Sequence, residues 1–401
     1  MDFAVMSQRS RWIRYLIGGA KWSIVVITVA WLLASGRLDL EQMTAVWRYP
    51  WVLVGGLLLV VLNLWITGLR FAWLLHRVDR PIALAEAVRL SFIGHTMNML
   101  AFGSASADLT RAVLVARVIG CGGGATAMVL VDRCTGLFGL VVIALAAVWT
   151  GASPLVYDGM LLGLLLGIEC CWWGIVVWCW TGLQVAGRLP FWSWWVLALG
   201  LTAVQLTCHF LHQAPTHFIV ASSAVAGVGI VAGGLCAVLA KRAHRLLAGL
   251  TGSSSARWRR LLGAAAEVLM AMHRRPVATV QAIALSVVAQ VPLIIALVWI
   301  GAVLQPDSAL TPWLVCIATP LAILSTTLPI PGGGIGVGEA AFDVTLRHLT
   351  VGAVTGGATV FLTLRGLLVL VALAAIPWWL RRGGERHVNA HGESGIVTSG
   401  T

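Results

Sequence analysis

Long apolar runs recur from one end of this chain to the other, and one of them, 278–303, passes without a single charged residue. A water-soluble fold could bury one such run, but not a series of them. Soluble domains carry roughly 25% charged residues; this 401-residue chain carries 10% and is 59% hydrophobic. Its mean hydropathy is +0.91. Lipid is the solvent this composition demands. A hydrocarbon layer about 30 Å thick needs roughly 20 apolar residues per crossing helix. That length predicts spans near 16–35, 50–75, 125–150, 159–181, 192–212, 217–240, 278–303 and 355–380. The expected fold class is an all-α polytopic membrane protein with about eight full transmembrane helices.

Two further stretches, 86–107 and 312–350, are apolar but broken by Gly, Pro, Asn and Ser, and read either as full crossings or as re-entrant hairpins. The first reads as a helix that stops at the small-residue run Gly103 to Ala107. The second is interrupted by Pro329-Ile330-Pro331-Gly332-Gly333-Gly334, after which a helix can restart.

Charge sets the orientation. The stretch Lys241 to Arg275 holds Lys241, Arg242, Arg245, Arg257, Arg259, Arg260, Arg274 and Arg275 against the one acid Glu267. Short basic loops stay in the cytoplasm, so 241–275 is expected there, as amphipathic helix lying on anionic lipid. Arg9, Arg11 and Arg14 at one end, and Arg381, Arg382 and Arg386 at the other, place both termini on the same side. An even number of crossings must then separate 276 from 380, and 312–350 must begin and end outside. The loop Arg77–Arg89 falls inside and 151–158 outside, so 86–150 holds a broken segment plus one outward span. A broken segment followed by a whole helix thus occurs twice in opposite directions, the pattern of an inverted repeat with its site at the broken helices. Residues 1–386 form one integral membrane domain on this reading, and 387–401 a polar, disordered tail. The N-terminal run continues to about Ser35 without a small-residue cleavage site and reads as a retained helix.

The net charge of +12 belongs to these loops and not to a nucleic-acid surface. Seven of the eight cysteines fall within apolar stretches and Cys121 lies in a glycine run; no CxxC pair occurs, and they read as small packing residues. Trp47, Trp51, Trp192, Trp194, Trp195, Trp378 and Trp379 stand where spans should meet headgroups. There is no HExxH, no GxSxG, no nucleotide loop with its Lys-Ser/Thr and no Cys/His metal spacing. Neither a cofactor nor a metal is expected.

Chemistry concentrates in a few polar residues. In Leu328 to Phe342 prolines stop a helix, glycines turn the backbone, and Glu339 sits in the first turn of the next helix. Backbone amides free at Gly333, Gly334 and Gly336 suit a phosphate or carboxylate. Glu339 and Asp343 share a helix face, where they either bind a cation, a proton or an amine, or cap the helix and pair with Arg347. Further upstream, Asp108 and Arg111 lie three apart in Asn98 to Arg111, spaced for an ion pair, with His95 and Asn98 one turn earlier. Alternatively Asp108 caps a helix and Arg111 marks the cytoplasmic boundary. Asp132, Arg133 and Arg365 lie inside apolar spans, where an isolated charge costs about 3 kcal/mol and needs a partner or a polar cavity. Arg365 suits a phosphate, because guanidinium is a bidentate donor of fixed charge; the alternative is a structural pair with Glu339, Asp343 or Asp132. Glu169, Gln205 and His209 read as interhelical hydrogen-bonding residues.

These stretches resemble the membrane region of lysylphosphatidylglycerol synthases, a broad family of flippase-like proteins. The similarity lies in Asn98, the break near Phe102-Gly103, Asp108 and Arg111; in Asp132, Arg133, Gly136 and Leu137; in Pro329 through Ala340; in Arg365; and in Leu69 to Leu75. It is sharp over 50–150 and 278–380, while the spans near 192–240 are additional to the family pattern. Ser106 and Ala107 replace the family's paired glycines, and Gly338 stands where it usually has Arg. With about twenty residues after the last expected span, the soluble aminoacyltransferase domain of the bifunctional members is not expected here. The resemblance implies the translocating half alone: a bacterial inner-membrane protein, not an enzyme, moving an amphiphilic lipid (a phospholipid, glycolipid or hopanoid-type molecule) between leaflets. On this reading Arg111, Arg133 and Arg365, with the amides after Gly333, hold phosphate, while Asp108, Glu339 and Asp343 balance that charge or couple movement to protons. The rival readings are a membrane-embedded transferase using a lipid-linked substrate, and a non-catalytic partner of a lipid-synthesis enzyme or a homo-oligomer.

Overall fold

A computed structural model of the chain describes residues 23, 26–100, 103–120, 122–150, 159–185, 190, 193–211, 216–251, 267–268, 270–306, 310–327 and 331–392. Among these residues the regular structure is entirely helical. After a helical stretch at 26–34 and a short helix Leu40–Ala45, the main elements are α1 (Pro50–Arg77), α2 (Leu84–Leu100), α3 (Ser104–Ile119), α4 (Gly122–Thr150), α5 (Gly159–Val185), α6 (Ser193–Leu211), α7 (Thr216–Thr251), α8 (Pro276–Leu304), α9 (Pro312–Ser325), α10 (Val337–Leu349) and α11 (Gly357–Gly392). Among the described residues six segments are long and apolar enough to cross a membrane: Pro50–Arg77, Gly122–Val148, Leu166–Gln184, Ile219–Cys236, Pro276–Leu304 and Gly357–Pro377. The chain is therefore a multi-pass α-helical membrane protein. The expected span at 192–212 is helical as α6 but is not one of the six. Most of the one at 16–35, and the loop 151–158, lie outside the described residues.

Local chemistry sets the helix ends. Proline opens α1, α8 and α9, where its missing N–H is one the first turn leaves unpaired anyway. Gly120, left-handed at φ 71°, closes α3. Between α2 and α3, Gly103 takes φ 71° and ψ −154°, a backbone open to glycine alone.

The first break falls where expected, α2 ending at Leu100 just before Gly103; Ser104 to Ala107 then form the first turn of α3, so the broken segment α2–α3 reaches residue 119. Two sequence expectations change. The basic stretch after Lys241 begins inside α7, which continues to Thr251. Helix α11 runs on to Gly392, past Arg386 where a disordered tail was expected to begin. In both cases a nucleated helix extends through polar residues at little cost per residue.

Two ends of the bundle can be distinguished. At the first, the basic end, Arg275 before α8 donates to the carbonyl of Arg77 at the close of α1 and lies 3.4 Å from Asp79. Arg80 there reaches the carbonyl of Ile119, the last residue of α3, at 3.4 Å. At the opposite end, Trp51 of α1 meets Trp299 of α8 with ring centroids 6.2 Å apart. Gln305, just after α8, donates to Thr355, just before α11. Helices α1 and α8 therefore run antiparallel. The pair α2–α3 leaves from and returns to the basic end, and α9–α10 leaves from and returns to the opposite end. Their tips meet inside: Ser104 Oγ donates to the carbonyl of Thr327 at 3.0 Å, and Gly333 packs against Met99 and the carbonyl of Asn98.

Packing repeats across the two halves. As α2 lies on α3 and α3 on α4, so α9 lies on α10 and α10 on α11; α2 packs on α11 as α9 packs on α4. One large apolar core joins α1, α4, α8, α9, α10 and α11, with Phe342, Leu297 and Val315 fully buried in it. Helices α5, α6 and α7 pack together around Trp173, Trp180 and Trp194 and join the rest through α4 and α8.

Candidate functional site

The breaks between half-helices place charged side chains at the depth of the apolar core. Asp132 on α4, 1% exposed, is gripped from two sides. Arg70 Nε of α1 donates to its Oδ1 at 2.9 Å, and Arg111 of α3 donates to its Oδ2 at 2.9 Å. Arg70 also donates to Ser286 Oγ of α8 at 2.8 Å. Glycines make room for this triad. A Cβ at Gly94 would sit 2.6 Å from Arg111 Cδ, and one at Gly136 3.1 Å from Arg70. The guanidinium of Arg111 stacks over Phe71 at 4.5 Å.

A second ion pair joins Asp108 of α3 to Arg133 of α4. Its counterpart in the other half is Glu339 of α10 with Arg365 of α11, at 2.6 Å. Arg365 also donates to the carbonyl of Gly333 at 2.7 Å, and Gly336 N–H donates to Glu339 Oε2 at 2.6 Å. Gly338 faces this pair: a Cβ there would lie 2.8 Å from Arg365 and 2.7 Å from Thr326.

A cavity of about 320 Å³ opens between these groups where the hairpin tips meet. Of the sequence-predicted residues, Asn98, Asp108, Arg111, Asp132, Arg133, Gly333 and Arg365 line it, while Gly334, Gly336, Glu339 and Asp343 do not. Several buried polar atoms on its wall have no hydrogen-bond partner among the described residues: Asn98 Oδ1, Arg111 Nε and NH2, Gln290 Oε1 and Thr319 Oγ1. Leaving such atoms unsatisfied costs about 1–3 kcal/mol each, so a polar occupant, water included, belongs here. Arg70, Arg111, Arg133 and Arg365, set against Asp108, Asp132 and the Glu339 behind Arg365, leave one positive charge. The wall suits a single anion with hydrogen-bonding groups around it.

The structure corrects several pairings. Asp108 and Arg111 do not pair with each other, nor does Asp108 cap α3, whose N-cap is Gly103; each crosses to α4 for a partner. A local spacing worth a few tenths of a kcal/mol yields to buried interhelical pairing. For Glu339 and Asp343 the structure has the second of the two readings, a helix cap and a pair with Arg347. Glu339 closes on Gly336 and Arg365, so the first amide of α10 is spent on its own helix and not offered to an anion. Asp343, fully buried, turns to Arg347 at 2.8 Å and Arg37 at 3.6 Å. Residues 328–330 of the glycine-proline signature lie outside the described residues.

Arg70, Gln290 and Thr319 are cavity residues that the sequence reading did not single out as site residues. Arg70 carried a signal: an arginine seven residues before the end of an apolar helix. The other two gave none, since uncharged polar residues are common in spans. Elsewhere, Gln205 donates to Ser222 at 2.5 Å and His209 lies 3.1 Å from Ser222, interhelical links of the expected kind, while Glu169 faces His209 at 3.3 Å without a hydrogen bond among the described residues. Among the described residues no three His, Cys, Asp or Glu side chains gather to hold a metal. Compared with family models, with curated proteins and with solved structures, the chain matches none.

Proposed function

We propose that this protein translocates an amphiphilic lipid between the leaflets of a bacterial cytoplasmic membrane, with the headgroup in the central cavity and the acyl chains in surrounding lipid. The observation that carries the reading is a polar cavity of about 320 Å³ with one excess positive charge and unsatisfied donors and acceptors, within a bundle of apolar helices. Charge is left at such depth when it serves a polar substrate. The resemblance of 50–150 and 278–380 to the membrane region of lysylphosphatidylglycerol synthases points the same way.

The topology completed by this reading has about eight crossings and two re-entrant hairpins in an inverted repeat. It is supported by the antiparallel α1 and α8, by hairpins returning to opposite ends, and by the matched pairs Asp108–Arg133 and Glu339–Arg365. The basic end, carrying Arg77, Arg80 and Arg275, faces the cytoplasm by the positive-inside rule, with 241–275 against anionic lipid. Arg133 and Asp108, 24% and 33% exposed, form the accessible wall of the cavity; Arg365 and Glu339, at 5% and 2%, close its other side.

The test is leaflet exchange of headgroup-labelled lipids in liposomes carrying the purified protein, beside an Arg365→Ala/Glu339→Gln double variant reconstituted at equal yield. Faster exchange by the wild type, lost in the variant, supports the reading. Exchange at the empty-liposome rate across a broad lipid panel, with and without a proton gradient, rejects it.

A further inference from the structure

The second buried charged cluster lies away from the cavity, in α5–α7. Glu169 of α5 and His209 of α6 face each other at 3.3 Å, with exposures of 1% and 3%. Ser222 of α7 lies 3.1 Å from the same His209 nitrogen and accepts from Gln205 at 2.5 Å. The Gln205–Ser222 bond alone would join α6 to α7. A carboxylate adds little as glue here, because neither Glu169 oxygen has a hydrogen-bond partner among the described residues. Among the described residues no charged partner other than His209 faces it. Helix α8 has no charged residue, and the charges of α4, Asp132 and Arg133, are engaged at the cavity. The other titratable residues on α5, α6 and the membrane part of α7 are Cys170, Cys171, Cys179, Cys208, Cys236 and, in the first turn of α7, His217.

We propose that Glu169 and His209 form a proton-binding site. With a carboxylate and a neutral imidazole the pair would leave one bare negative charge in apolar surroundings, which desolvation strongly disfavours. One proton taken from water brings the pair to net neutrality, held on Oε1 or on Nε2. Uptake is from the end opposite the basic one. Helix α5 reaches the basic end, where Gly182 and Trp178 meet His273, and Trp180 there donates to Ser193 at the start of α6. His209 in the last turn of α6 therefore lies at the far end. The site goes beyond the cavity reading and stands whatever the cavity carries.

Infrared difference spectra of the full-length protein in liposomes, recorded from mildly acidic to mildly alkaline pH, test it. A titrating band, protonated carboxyl where the proton sits on Oε1 or imidazolium where it sits on Nε2, should rise and fall with pH in the wild type, be lost or displaced in Glu169→Gln, and shift its midpoint in His209→Gln. If Glu169→Gln does not fold, Ser222→Ala decides, since it leaves both titrating groups in place: a displaced midpoint supports the site. No titrating band in the wild type, a band unchanged in Glu169→Gln, or a midpoint unmoved in Ser222→Ala would show the cluster to be a structural link only.

Discussion

The two hairpin halves build the same device in different surroundings. In each, an acid early in the second half-helix reaches an arginine on the following long helix: Asp108 to Arg133, and Glu339 to Arg365. In the first half the pair lines the cavity and is a quarter to a third exposed; in the second it is sealed, and the acid also caps its own helix at Gly336. Equivalent pairs should therefore differ in energy. An accessible pair is worth about 0–1 kcal/mol, while breaking a buried one by removing a partner costs about 3–5 kcal/mol. The first pair is open to the cavity; the second holds the backbone of the break through Gly333 and Gly336.

The largest effect belongs to neither pair but to the acid between two arginines. Asp132→Asn leaves Arg70 and Arg111 facing each other in the core, and a loss of about 3–5 kcal/mol is expected. Denaturant unfolding in detergent should read it, or show that too little folds to measure. Next comes the comparison of halves. Glu339→Gln should lower the unfolding midpoint by several times more than Asp108→Asn; equal effects would end the claim that the halves differ. Between these two falls Gly338→Ala. Its methyl presses on Arg365 and Thr326, both side-chain ends that can give way, so about 1–3 kcal/mol is expected from overpacking. Alanine at Gly174, inside α5 with open space around its Cβ, would not touch that pair and should be silent toward it.

Much of this comparison was legible in the sequence, and the remainder is missing for physical reasons. Uninterrupted apolar length marked α1, α8 and α11, and Gly and Pro marked both breaks. Asp132, Arg133 and Arg365 stood out because a charge in an apolar span must be matched. The second leg of the first hairpin did not stand out: SASADLTRAVLVARVI reads as polar sequence, and it is held at this depth because Asp108 and Arg111 find partners on α4. Partner choice was equally hidden. Asp343 sits four residues from both Glu339 and Arg347, and only the fold brings in Arg37 from more than three hundred residues upstream.

The most direct measurement is exchange of an anionic against a zwitterionic headgroup in liposomes carrying wild type or Arg111→Gln. That change removes the cavity's excess positive charge yet leaves Asp132 bonded to Arg70, so the variant should keep its fold. The expected result is a drop of about tenfold or more in anionic exchange, equivalent to at least 1.4 kcal/mol, with the zwitterionic rate much less changed. Equal loss for both headgroups, or no loss for either, would contradict a cavity that selects its ligand by charge.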